Sequence, residues 1–176
     1  TLISRNQMNV DVLIERSPLQ SIFPALRGGL GTGQVGGVMA RAGVGKSAFL
    51  VHIALNSLLR GANVLHVSLT DSQAHVRSFY DEIYTELLRA SGVSETPYAR
   101  IAIERHRMVH SSVGKAFGAS DLVKLMNSFS QLMQFKPALV IVDGLDSASL
   151  NASEWSAIAD SHQIRLWVSA RTHRES

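Results

Sequence analysis

Short blocks of consecutive apolar residues alternate along this chain with longer stretches whose apolar positions recur every three or four residues. The blocks are "QVGGVMA" (34–40), "NVLHVSL" (63–69), "ALVIVD" (138–143) and "IRLWVSA" (164–170). Each has strand length and reads as a buried strand, the first weakened by its two glycines. Residues 46–60, 73–90, 120–135 and 153–161 carry apolar faces at helical spacing. Gly61 closes the first of these, Ser91 and Gly92 the second, and Ser120 or Asp121 opens the third near its N-cap. The stretch 94–118 is the least legible; "RMVHSS" (107–112) predicts a short strand there, preceded by a helical turn or two. Near the start, "NVDVLIE" (9–15) alternates apolar and polar residues, which predicts a short edge strand. Pro18 and Pro24 then break regular structure. "RGGLGTG" (27–33) is a glycine-rich loop, read either as a connector or as a turn feeding the first core strand. Continuously apolar strands must be covered on both faces. The alternation therefore predicts an α/β fold of three layers, a mostly parallel central sheet flanked by helices. Residues 1–33 form a lead-in segment with its glycine-rich turn, and 34–176 a single domain.

Composition narrows this picture only a little. The chain has 176 residues, 45% hydrophobic and 18% charged, which suits one globular domain rather than a disordered segment. It contains no cysteine, which excludes disulfides and cysteine zinc sites and favours a cytoplasmic protein. No run is long enough for a membrane helix, and no partner membrane is expected. The net charge of +3 is compatible with nucleic acid or an acidic partner without pointing to either. Thr1 is not a natural initiator, and the chain reads as a minimal core or a fragment.

The chemistry concentrates in "MARAGVGKSAFL" (39–50). A triphosphate is well solvated, so a site must replace its water with many close donors. A glycine-rich turn running into a helix N-terminus does this with inward-pointing N–H groups and a favourable helix field. Gly43 and Gly45 free the backbone for the curl. Ala42, Gly43, Val44, Gly45, Lys46, Ser47 and Ala48 would form the cradle, with Lys46 reaching the β- and γ-phosphates and Ser47 offering its hydroxyl to Mg²⁺. This is the P-loop pattern except at Ala40, where its opening glycine is replaced. A strand before it and a helix after it supply the right context. The second motif, "ALVIVDGLD" (138–146), is a buried strand that presents Asp143 at its C-terminal edge, the binding side of open α/β sheets. Asp143 would hold Mg²⁺; read otherwise, it caps a turn. Asp146 is read as a loop acid.

The stretch "GGLGTGQVGGVMARAGVGKSAFLVHIALNSLLRGANVLHVSLTDS" (28–72) resembles the core of the RecA-like P-loop ATPase superfamily, in its KaiC/DnaB-type branch. Gly28, Gly29, Leu30 and Gly33 match the glycine element ahead of the P-loop strand, and 61–65 the turn after the P-loop helix. The likeness runs over roughly 27–143, and more weakly through Ser169. It implies a RecA-like P-loop NTPase fold, ATP and Mg²⁺ as cofactors, Asp143 as the Walker B aspartate, and assembly with like or related RecA-like subunits. In such relatives the strand beside the P-loop strand commonly ends in a glutamate that orients the attacking water. By position that glutamate falls on Thr70, which cannot act as a carboxylate base. Asp71 is the remaining candidate base, unless it serves as N-cap of the next helix. Lys46 is the other candidate catalytic residue. Ser169 falls at the end of the strand that senses the γ-phosphate in relatives.

The remaining features divide between bland and functional readings. His52, His66 and His75 lack metal-site spacing and read as packing or surface residues. "ERHRMVH" (104–110) reads as a solvated basic face, or else as a phosphate or nucleic-acid contact or an arginine finger, with Arg171 and Arg174 as rivals. Met126 and Met133 sit at helical spacing and read as core. The expectation is a nucleotide-dependent regulator or assembly subunit that binds ATP and Mg²⁺ and hydrolyses weakly or not at all. The alternatives are an active, nucleic-acid-stimulated ATPase of recombinase or helicase type and a small-molecule P-loop kinase.

Overall fold

The computed structural model describes residues 2–18, 30–40 and 45–172. Five strands form one all-parallel sheet: β1 (Val35–Ala40), β2 (Val64–Ser68), β3 (Arg107–Ser111), β4 (Leu139–Asp146) and β5 (Arg165–Arg171), in the order β1-β5-β4-β2-β3. The helices are α1 (Leu2–Glu15), α2 (Lys46–Leu59), α3 (Gln73–Ser91), α4 (Pro97–His106), α5 (Ala119–Met133) and α6 (Ala152–His162). This is the expected α/β architecture with a five-stranded parallel sheet between two helix layers.

The alternation along β4 shows how the layers are filled. Leu139 and Ile141 face one core with α1, α2, α3 and α4; Val140 and Val142 face the other with α5 and α6. All four are fully buried. A side-chain period of two thus divides one apolar block between two cores, which is why the block carries no polar interruption. In β1 the glycine that weakened the strand prediction has a packing role: a Cβ on Gly36 would lie 2.7 Å from the Trp167 indole. The indole also meets Phe49 of α2 edge-on, with ring centroids 5.6 Å apart.

Several expectations are corrected. The edge strand expected at 9–15 is the second half of α1. Its buried residues are Val10, Leu13 and Ile14, spaced at i, i+3 and i+4, and they pack into the core shared with α2, α3 and α4. Packing against three helices selects the helical period over the weaker local alternation. The helical turns expected before 107–112 are a full helix, α4, with Pro97 in its first turn and Thr96 capping it. Helix α5 stops at Met133 because Gln134 turns left-handed, φ 52°. Met133 is consequently exposed rather than core, whereas Met126 is buried as expected. Gly118 is the N-cap of α5, with Ser120 and Asp121 close behind it as expected, and the Asp121 carboxylate accepts from the Gly118 N–H at 2.8 Å. Strand β2 does not lie beside β1: β5 and β4 separate them. Thr70 and Asp71 therefore follow a strand that neighbours β4, not the one that leads into the glycine-rich loop.

Residues 30–33 do form a turn feeding β1, tied by Gly33 N–H to the Ile164 carbonyl at 2.9 Å. Gly28 and Gly29 lie outside the described residues. Among the described residues no helix is long and apolar enough to cross a membrane.

Candidate functional site

Two in-register rows cross the sheet face that carries α2 and α3. The lower row runs Gly36, Trp167, Ile141, His66, Val109. The upper row, two residues toward the C-terminal edge, runs Val38, Ser169, Asp143, Ser68, Ser111. Its four polar residues come from four different strands, and only the sheet order makes them neighbours.

Asp143 is the hub of the upper row and is only 5% exposed. Its Oδ2 accepts from Ser47 Oγ at 2.6 Å, and its Oδ1 accepts a short hydrogen bond from Ser169 Oγ. Ser169 Oγ in turn accepts from the Gly144 N–H at 2.9 Å. Gly144 has φ 104°, and a Cβ there would lie 2.6 Å from Thr70 Cγ2, so only glycine fits the turn that leaves Asp143. Ser47 belongs to the first turn of α2, which Gly45 enters in the left-handed conformation, φ 76°, with no side-chain cap. Gly45 as N-cap supplies no capping side chain, an arrangement that suits an anion at the helix start.

On the other side of Asp143, Ser68 Oγ accepts from the Asp71 N–H at 3.0 Å, and Ser111 Oγ donates to the Asp71 carbonyl at 2.7 Å. These bonds hold the turn between β2 and α3. Both Asp71 oxygens are occupied: Thr70 Oγ1 donates to Oδ2 at 2.8 Å, and His75 Nδ1 lies 2.7 Å from Oδ1. Partial burial pushes the Asp71 carboxyl upward. The Thr70 and His75 hydrogen bonds, with the charges of His75 and Arg171, outweigh it, and the pKa ends below the usual carboxylate value. Ser72, not Asp71, caps α3, accepting from the His75 N–H at 3.2 Å.

Beneath this turn His66 is buried, with Nδ1 2.7 Å from the Tyr80 hydroxyl. Desolvation lowers its pKa to about 4; Asp143 and Asp71 oppose that shift and the Arg107 charge adds to it. The imidazole is neutral at physiological pH. Arg107 is also buried, stacked 4.9 Å over the Tyr80 ring and bonded to Glu104 at 2.9 Å. The solvated face expected at 104–110 therefore holds for Glu104 and Arg105, but not for Arg107. Arg171 ends β5, exposed; Arg174 lies outside the described residues.

A cavity of about 200 Å³ joins these groups. Ser47, Asp143, Asp71, His75 and His66 line it together with the apolar Val51, Val76 and Phe79. Of the sequence-predicted site residues, Ser47, Asp71 and Asp143 meet here. Lys46 opens α2 and Ala48 packs against the core, while Ala42, Gly43 and Val44 lie outside the described residues. Asp146 ends β4, exposed, and accepts from the Ala148 N–H. Sequence reasoning missed the grip of Ser169 on Asp143 and the contact of His75 with Asp71. The i, i+4 spacing of Asp71 and His75 was a usable signal for the second.

A serine hydroxyl beside a carboxylate is a pair of hard oxygen donors, the kind a Mg²⁺ ion takes while keeping several waters. Among the described residues there is no group of three histidine, aspartate or glutamate side chains arranged for a softer metal. The chain matches no known family model and no curated protein.

Proposed function

We propose that this chain is a RecA-like P-loop domain that binds ATP with Mg²⁺ and acts as a nucleotide-dependent regulator or assembly subunit with weak or absent hydrolysis. The observation that carries the reading is the 2.6 Å hydrogen bond from Ser47 Oγ to Asp143. These residues are 96 positions apart, and the reading assigns both to the same metal ion. Without a cation, a hydroxyl donating to the carboxylate satisfies both groups. With one, both would turn oxygen lone pairs to the metal. Mg²⁺ would neutralise the phosphate oxygens, Lys46 would hold the β- and γ-phosphates, and the N-terminus of α2 would receive the chain of phosphates. Ser169 holds the Asp143 carboxylate in place, as a hydrogen-bonded partner behind a metal ligand does. Assembly with RecA-like subunits follows from the family resemblance.

Calorimetric titration with ATP, in Mg²⁺ and in EDTA, tests the reading. Wild type is expected to bind only weakly in EDTA and tightly in Mg²⁺. Lys46→Ala removes charge-assisted phosphate contacts and weakens binding ~10–100-fold in both conditions. Ser47→Ala abolishes the difference between the two conditions. A wild-type protein that shows no heat with ATP and Mg²⁺ sinks the reading.

A further inference from the structure

The residue at which a catalytic glutamate was expected is a threonine, and Asp71 next to it is engaged at both oxygens. A carboxylate with both oxygens hydrogen-bonded and its pKa lowered is a poor proton acceptor. It is well suited to orient an imidazole instead. The bond from His75 Nδ1 to Asp71 fixes the tautomer: Nδ1 carries the hydrogen and Nε2 carries the lone pair. Thr70 Oγ1 braces the opposite oxygen of Asp71, and Ser68 and Ser111 brace its backbone. His75 lines the same cavity as Ser47 and Asp143. A histidine oriented by a carboxylate in this way is the arrangement of a general base with its positioning residue.

We propose that His75 is the catalytic base for ATP hydrolysis at this site, with Asp71 as its positioning residue, an inference that rests on the nucleotide reading above. A water in the cavity attacks the γ-phosphorus and gives its proton to His75 Nε2. The bond between the γ-phosphorus and the bridging oxygen breaks, and its electron pair leaves on the β-phosphate of ADP. Asp71 stabilises the imidazolium that forms. The His75 side chain is 67% exposed, so it returns the proton to bulk solvent after phosphate leaves. Across the cavity Asp143 and His66 face the same space, and the Arg171 charge reaches Asp71. The base thus comes from the first turn of α3 rather than from the end of β2.

The test pairs phosphate release over a pH series with ATP calorimetry, on wild type, His75→Gln and Asp71→Asn. His75 is exposed, so His75→Gln is expected to melt as wild type does. It should bind ATP with Mg²⁺ unchanged and lose turnover by about 100-fold or more. The wild-type rate falls on the acid side as the imidazole protonates, and that limb is absent from the residual rate of His75→Gln. Asp71→Asn keeps the acid limb and binds ATP as wild type does but turns over more slowly, because the imidazole loses the carboxylate that orients it. A His75→Gln protein that turns over like wild type overturns the proposal, and so does one that keeps the acid limb. If Asp71→Asn abolishes turnover while His75→Gln does not, Asp71 is itself the base. A wild type that binds ATP with Mg²⁺ and releases no phosphate overturns the proposal but leaves the nucleotide reading standing. A wild type that binds no ATP overturns both.

Discussion

Two neighbouring rows on one sheet face do different work. The lower row, with Trp167, Ile141, His66 and Val109, is packed under α2 and α3, each of these residues being 6% exposed or less, and His66 alone of the four also lines the cavity. The upper row, with Ser169, Asp143, Ser68 and Ser111, lies about 7 Å further along the strands. There the helix layer gives way to the cavity and the N-terminus of α2. The rows share strands, register and covering helices. They differ in distance from the C-terminal edge, and over that one pleat repeat the side chains change from apolar packing to hydroxyls and a carboxylate. Stability resides in the first row and the candidate chemistry in the second. His66 is the exception, a polar residue in the packed row, and Tyr80 satisfies it.

The sharpest way to break this contrast is to empty the lower row. Trp167→Ala removes the indole that fills the space over Gly36 and against Phe49, and is expected to cost about 3–5 kcal/mol in denaturant unfolding. A loss below about 1 kcal/mol would mean that the row is not a packing row.

Next in size is the response of His66 to acid. Its folded pKa is about 4 against an ordinary value of 6.5. As pH falls from 6.5 toward 4, the unfolded chain takes up this proton and the folded chain does not. The stability that neutral His66 contributes is therefore complete above the ordinary value and is lost through that window. The loss is on the order of 3 kcal/mol. The measurement is unfolding free energy against pH for wild type and His66→Gln, taken as a difference. His52 and His110, whose burial also lowers their pKa values, remain in both proteins and cancel. Parallel curves would show that His66 does not carry the slope.

The upper row should answer in the opposite currency. Asp143→Asn removes a buried charge while keeping its shape, and is expected to leave stability unchanged or slightly raised. Under the proposed function it removes the dependence of ATP binding on Mg²⁺. Ser169→Ala, one step behind, is expected to weaken the Mg²⁺-dependent part of binding by about 10–100-fold. If Asp143→Asn instead unfolds the protein, the carboxylate is structural and the division between the rows fails.

What was legible in the sequence follows from the range of the forces involved. The four strongest strands and the helices between them were readable because side-chain periodicity and cap chemistry act within a few residues. Gly45, Lys46, Ser47 and Asp143 were readable as candidates because a glycine-rich turn at a helix start and an acid at a strand end are local patterns. Tertiary structure decided the rest. Residues 9–15 alternate as a strand would, yet Val10, Leu13 and Ile14 found three helices to pack on and the segment is helical. Sheet order is set by which faces and edges fit across the whole chain, so no local pattern placed β5 and β4 between β1 and β2. That order puts Ser169 on Asp143 and brings Ser47, from a distant helix start, to the same carboxylate. A residue's type is written in the sequence; its neighbour across a parallel sheet depends on pairings tens of residues away.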